Sequence, residues 1–178
     1  MAFSINDFKS QLVGGGARPT LFRVRITNPI TGVADFKTPF MISAATLPDS
    51  TVGVYPVYYF GREIKYAGDR RFNDWTVRVI NDEDFAVRNA MESWSNAINS
   101  HVSNTRTPPT AYKSQAQIFQ YGKDGSVLRE YTFQGLFPSN ISDIQTNWGS
   151  RDTYEEFTVT FQYDLWTVSG GNTGNPIT

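Results

Sequence analysis

A mainly β domain with one main α-helix is the expectation for this chain, built as a two-sheet β-sandwich or partly closed β-barrel. Three stretches carry it. Residues 20–27 set Phe22, Val24 and Ile26 against Arg23, Arg25 and Thr27. Residues 153–166 set Phe157, Val159, Phe161, Tyr163 and Leu165 against Glu156, Thr158, Thr160, Gln162 and Asp164. Only residues 82–99 sustain a helical stripe, made by Val87, Ala90, Met91, Trp94, Ala97 and Ile98. A period of two fits a strand with one wet face, and spacings of three and four fit an amphipathic helix.

The elements follow in order. Ser4 with Asp7 three positions on reads as a helix start, and Ile5, Phe8 and Leu12 share one face. Gly14-Gly15-Gly16 then forms a hinge, so residues 1–16 are an arm that either folds back on its own domain or docks on a neighbouring subunit. The body is residues 17–166. Asn28-Pro29 ends the first strand, and a second runs over 40–46 until Pro48 stops it. Residues 49–53 read as an exposed connection to a long strand over 54–66, in which Gly61 marks a bulge or bend. Gly68-Asp69 is expected to turn the chain into the strand carrying Trp75, Val77 and Val79.

For the helix over 82–99, Asn81 is the expected N-cap, and Asp82, Glu83 and Asp84 occupy a first turn where the helix dipole favours negative charge. Residues 101–114 are polar, contain Pro108-Pro109 and read as a long loop. Strands over 115–121 and 127–134 flank Lys123-Asp124-Gly125, a hairpin signal. Residues 167–178, rich in Gly and Asn, read as a flexible tail that orders only in an assembly.

Composition narrows the function. At 178 residues the chain suits one domain that buries roughly 70% of its unfolded surface. Thirteen Phe, nine Tyr and four Trp put much of the apolar area into large rings, which favour cores and interfaces. Sixteen basic against seventeen acidic residues leave no cationic surplus of the kind a nucleic-acid binder uses to displace counterions. With no cysteine there are neither disulfides nor thiolate ligands. No run of about 18 apolar residues reads as a membrane span, and no signal peptide is expected.

No catalytic constellation assembles. His101 is the sole histidine and sits in a polar loop, and the Asp82-Glu83-Asp84 cluster is explained by a helix start. The glycine triplet lacks the Gly-Lys-Ser/Thr ending of a phosphate loop, and Asn140-Ile141-Ser142 is a short match to a glycosylation acceptor without a secretion signal. The expectation is a protein that is not an enzyme and carries no cofactor and no metal.

Several fragments stand in a telling order: Ala17-Arg18-Pro19 with Leu21-Phe22, Thr46-Leu47-Pro48, Ala67-Gly68-Asp69-Arg70, Asp74-Trp75-Thr76-Val77, Asn81-Asp82-Glu83, and Gly135-Leu136-Phe137-Pro138-Ser139-Asn140. With the uninterrupted run over 56–85 they resemble the tube protein of contractile bacteriophage tails, a family related to type VI secretion tube proteins. The chain departs from that pattern in a longer first turn over 28–37, a longer segment over 101–114 and the tail beyond Trp166.

The resemblance implies six protomers in a ring whose sheets join around a channel, with rings stacked head to tail into the inner tube of the virion tail, assembled in the host cytoplasm. DNA passes through without specific binding. Residues 47–58 become the expected contact between rings, through Leu47, Pro48, Asp49, Val52, Val54 and Tyr58, joined by Phe3, Ile5, Phe8 and Leu12 of the arm and by the C-terminal tail. Glu156, Thr158, Thr160, Gln162 and Asp164 are candidates for the lumen face, against ordinary solvent exposure. The implied partners are further copies of the chain, the tail sheath protein, a baseplate tube initiator, the tape measure protein and the tail terminator, with no direct membrane binding. Two other readings remain: a tube or tube initiator of another contractile injection system, and a carbohydrate-binding β-sandwich using Tyr55, Tyr58, Tyr59 and Tyr66.

Overall fold

The structure, a computed structural model, describes residues 4–171. Its strands are β1 (Phe22–Ile26), β2 (Ile42–Ala45), β3 (Thr51–Tyr59), β4 (Arg62–Arg71), β5 (Trp75–Ile80), β6 (Ser114–Tyr121), β7 (Val127–Ile141), β8 (Glu156–Gln162) and β9 (Leu165–Ser169). Its helices are α1 (Ile5–Gln11), α2 (Thr38–Met41), α3 (Ala86–Ile98) and α4 (Pro109–Tyr112). Strands thus dominate, with α3 the one long helix, as the alternating stretches predict.

Seven strands form one antiparallel sheet in the order β1-β6-β7-β8-β5-β2, with β9 also paired to β7. The 15-residue β7 belongs to both halves: Val127 to Leu136 lie against β6 and Glu130 to Gln134 against β9, while Phe137 to Ile141 lie against β8. Gly135 permits this crossing, because its φ of +69° is left-handed and a Cβ there would overlap the Asp164 carboxylate. The two halves face each other: Trp75 of β5 stacks on Phe133 of β7 at 4.4 Å and tilts against Phe161 at 5.4 Å. The partly closed barrel does not form. β1 and β2, at the two ends of the order, touch without pairing, so the sheet is open.

Trp94 of α3 reaches this core, 6.2 Å from Phe161, and donates its indole N–H to Tyr112 O at 2.8 Å. Thr107 Oγ1 likewise donates to Ala97 O at 2.6 Å. The polar segment over 101–114 is therefore pinned to α3 and contains α4 instead of being loop throughout.

Other expectations shift. The helix starts at Ala86, not at 82, and its N-cap is Phe85 in the left-handed region (φ 51°), not Asn81. Lys37 explains the delay: its ammonium bonds Asp82 at 2.7 Å and Asp84 at 2.5 Å, holding both carboxylates ahead of the helix while Asp84 Oδ1 accepts from Ala86 N at 3.0 Å. The strand expected over 40–46 is β2 alone, because Phe40 belongs to the helical turn α2, opened by Pro39. The expected long strand over 54–66 is a hairpin. Phe60 (φ 45°) and Gly61 (φ 76°) make its two-residue turn, and β4 runs on through Gly68-Asp69 to Arg71. Gly53 and Gly68 form a bulge where the two backbones approach so closely that a Cβ on either would lie 3.2 to 3.3 Å from main-chain atoms.

The last expected strand is two. β8 ends at Gln162, Tyr163-Asp164 turns the chain, and β9 returns along β7, so Leu165 leaves the apolar face and is exposed. The first part of the expected flexible tail is thereby structured: Thr167, Val168 and Ser169 pair with β7, and Val168 is buried. The remainder, residues 172–178, lies outside the described residues. The hairpin at Lys123-Asp124-Gly125 is present, with Gly125 at φ 82° and Gly122 N donating to Ser126 O at 2.8 Å.

Candidate assembly surfaces

The β3–β4 ribbon buries no residue of its own. Its strand register sets Tyr55 against Tyr66, Val57 against Ile64 and Tyr59 against Arg62, so alternate positions give one face Tyr55, Val57, Tyr59, Ile64 and Tyr66. Tyr55 and Tyr66 stack at 5.8 Å. The other face carries Val54, Tyr58, Lys65 and Glu63, with Phe60 exposed at the tip. A free two-stranded ribbon is marginally stable in water, and a contiguous apolar surface of this kind marks an interaction site.

Its root is firmly held. Trp166 Nε1 donates to Asp49 O at 3.1 Å and Trp75 Nε1 to Thr46 O at 2.9 Å. Asn73 Nδ2 donates to Asp49 Oδ2 at 2.8 Å, and Arg70 Nη1 to Ser50 Oγ at 2.6 Å. Two core tryptophans therefore fix the segment over 46–50 by their polar edges, which sets the direction in which the ribbon leaves the body. Beside this root, burial pushes the Tyr163 phenol up to about 12, helped by the carboxylates of Asp49 and Asp74.

Of the expected contact residues, Leu47, Asp49, Val52, Val54 and Tyr58 are exposed, with Pro48 half-buried, along one continuous stretch of root and strand. The arm is separate. Ser4 Oγ accepts from Asp7 N at 3.3 Å, α1 buries nothing, and Ile5, Phe8 and Leu12 face solvent. Lys123 Nζ donates to Gly14 O at 2.5 Å and ties the hinge to the β6–β7 turn. Phe3 lies outside the described residues.

The outer face of β8 brings Glu156, Thr158, Thr160 and Gln162 together, continued by Thr76 and Arg78 of β5 and Asn140 of β7. Asp164 does not join them. It sits in the β8–β9 turn, where Lys113 Nζ holds its carboxylate at 2.7 Å. Alternation alone extended the strand past its real end.

Among the described residues the titratable candidates are held in surface contacts. His101 Nδ1 meets Asn96 Oδ1 at 3.0 Å on the surface. Hydrogen bonds from Lys37 hold the Asp82 and Asp84 carboxyls below the usual carboxylate range, and the same bonds raise Lys37. Among the described residues no group of three His, Cys, Asp or Glu could hold a metal ion, and no helix is long and apolar enough to cross a membrane.

Sequence reasoning missed three exposed groups. Val57, Phe60 and Ile64 complete the ribbon, but a Phe-Gly turn lacks the Asn-Gly or Asp-Gly signature that would have revealed it. Phe36 and Phe40 are exposed near β1, with Arg23 over the Phe40 ring at 5.7 Å. Trp148 stands free on the segment between β7 and β8, and no local pattern marks it.

A packed β body with a rigidly rooted apolar ribbon and an open polar sheet face defines a structural assembly subunit. Residues 17–169 match the family model described as phage tail tube protein, and the chain belongs to that family. It is 36% identical over 167 residues to the tail tube protein gp19 of Enterobacteria phage T4, covering 93% of this chain and 94% of that one. It is 28% identical over 166 residues to the tail tube protein of Serratia phage KSP90, covering 90% and 94%. The fold is shared with the tube terminating cap of the anti-feeding prophage (TM-score 0.64, 18% identity, 86% of this chain and 91% of that one). It is also shared with a chain of the sheath-tube complex of the extracellular contractile injection system PVC (TM-score 0.64, 14% identity, 94% and 99%). This is a phage tail tube protein, a structural component of contractile tails, and no enzymatic family is indicated.

Proposed function

We propose that the protein self-assembles into hexameric rings stacked head to tail, forming the inner tube through which DNA leaves the virion. The observation that carries this reading is the β3–β4 ribbon: a family member matched over nearly its whole length exposes a run of apolar side chains on a firmly rooted projection that none of the described residues covers. A head-to-tail contact is heterologous, so it closes around the ring and stays open along the axis.

In this reading Leu47, Pro48, Asp49, Val52, Val54 and Tyr58 meet the next ring, with Phe3, Ile5, Phe8 and Leu12 of the arm and the C-terminal residues completing the contact. Glu156, Thr158, Thr160 and Gln162 face the lumen. Asp164, tied to Lys113 in a turn, is left out of that face. The chain's near-balanced charge suits a conduit, since each neutralised phosphate would add affinity and slow passage. A sheath around the tube, a baseplate initiator, a tape measure and a terminator complete the set of partners. The PVC neighbour is itself part of a sheath-tube complex. Assembly takes place in the host cytoplasm, and the product is the virion tail.

Negative-stain electron microscopy across a concentration series tests this. Rings or stacked hollow tubes are expected. Monomers persisting at every concentration, even with a baseplate preparation added as nucleus, would overturn self-assembly. A saccharide-dependent rise in melting temperature would instead favour carbohydrate binding by the ribbon tyrosines. The likeness to the anti-feeding prophage and PVC chains keeps a second machine in view, a tube or tube initiator of another injection system. The protein composition of purified particles distinguishes the two.

A further inference from the structure

The open face of β2, β5, β8 and the second half of β7 is lined by hydroxyls and amides: Ser43, Thr76, Thr158, Thr160, Gln162 and Asn140. Among the described residues of these strands, it carries one cation and one anion, Arg78 and Glu156. They are not neighbours in sequence. In the β5–β8 register Arg78 lies opposite Thr158 and Glu156 opposite Ile80, so the two charges are diagonal neighbours on one face. Arg78 Nη1 approaches Glu156 Oε2 at 3.6 Å, and Ser43 Oγ donates to Glu156 Oε1 at 3.3 Å. Ser43 is the extra residue of a bulge in β2, which is how an edge-strand hydroxyl comes to bear on a carboxylate two strands away.

We infer that Glu156 masks the charge of Arg78 on the channel wall, so that passing DNA meets a neutral, hydrogen-bonding surface; this rests on the tube reading and on this sheet face lining the lumen. A long ion pair with its guanidinium exposed and its carboxylate half-buried contributes little to folding. Its effect is on cargo. Arg78 is 59% exposed and would otherwise present one unopposed guanidinium per subunit, repeated around and along the tube. A guanidinium is a strong phosphate ligand, and each phosphate contact releases counterions and adds affinity. With a carboxylate 3.6 Å away, the pair acts as a small dipole whose field fades well within a screening length of about 8–10 Å. Glu156 keeps the wall from gripping, and Ser43 positions Glu156.

The test uses assembled tubes of the full chain and a short fluorescent DNA duplex, with retention measured against salt. Glu156→Gln is nearly isosteric and keeps an acceptor for Ser43, so tubes of ordinary form are expected. At about 50 mM salt these tubes should retain duplex at least about 10-fold more than unaltered tubes, with most of the excess lost by about 200 mM. The double variant R78Q/E156Q should return to the unaltered level, which separates exposed positive charge from a loosened wall. Equal retention by unaltered and E156Q tubes overturns the masking role while leaving the tube reading intact. Excess retention that survives in R78Q/E156Q also overturns it. If the unaltered chain forms no tubes under any condition, the tube reading fails, and this inference fails with it.

Discussion

In the body, Trp75, Trp94, Phe133, Phe157 and Phe161 are each no more than 2% exposed, whereas on the β3–β4 ribbon Tyr55, Tyr58, Tyr59, Tyr66 and Phe60 range from 48% to 93%. Both regions are aromatic strands with alternating register, and their residue chemistry is nearly the same. The difference is in what lies opposite. Body strands have a second half-sheet and α3 to pack against, so each ring is surrounded. Among the described residues the ribbon pairs only with its own partner strand, and its internal aromatic contacts are the stacked Tyr55–Tyr66 pair and the edge-on Tyr59–Phe60 pair at the tip. Burial in this molecule is thus concentrated in the body, while the ribbon's apolar side chains are left exposed among the described residues.

The two regions are therefore expected to respond differently to mutation. Trp94→Ala removes a fully buried ring at the centre of the body and should cost about 3–5 kcal/mol, read as a lowered urea midpoint. A loss below about 1 kcal/mol would show that α3 is dispensable to the core. Val52→Asp combined with Val54→Asp should leave the stability of the isolated subunit within about 0.5 kcal/mol, because both side chains are exposed. The same pair should sharply shorten or abolish tubes in electron micrographs. Unchanged tube length would remove the ribbon root from the stacking contact.

Gly135→Ala tests the crossing of β7 between the half-sheets. The left-handed backbone and the Asp164 carboxylate beside it both oppose a Cβ, and a loss of about 1–3 kcal/mol is expected by denaturation. Trp166→Phe keeps an aromatic ring but removes the indole N–H that holds Asp49 O, at a cost of about 1 kcal/mol for the hydrogen bond alone. Its sharper readout is faster amide exchange in β3 and β4 with β5 and β8 unaffected. Equal acceleration in all four strands would mean that the tryptophan serves the body and not the ribbon.

The smallest effect concerns the Lys37 clamp in front of α3. Asp82 and Asp84 titrate below their ordinary range, so their contribution is complete above about pH 4 and is lost as pH falls through their lowered values. Lys37 is raised, so its contribution holds up to its ordinary value and fades as pH rises through the raised one. Lys37→Met should therefore lower the melting temperature slightly at neutral pH and not at all in strong acid. A melting-temperature difference that persists in acid would mean that the lysine acts through packing.

Much of the body was legible locally. Phe157, Val159 and Phe161 lie inside with Glu156, Thr158, Thr160 and Gln162 outside, and Val87, Ala90, Met91 and Trp94 form the buried side of α3, as their periods predict. Local signals failed where a contact from elsewhere intervened. Lys37 draws Asp82 and Asp84 out of the helix, and β9 turns back along β7 where alternation ran straight on. The Phe60-Gly61 reversal failed for a different reason, since a positive φ at Phe is uncommon and its sequence resembles strand interior.

By itself, then, the sequence determined which side chains point to which face of each strand and of the long helix, because backbone geometry fixes those periods residue by residue. It also determined the family, through the order of short fragments along almost the whole chain. Only the tertiary structure decided which apolar faces find cover, how Trp75 and Trp166 root the ribbon, and that Arg78 meets Glu156 across two strands. Those facts depend on pairing between distant segments, and no local period encodes which strand becomes a neighbour.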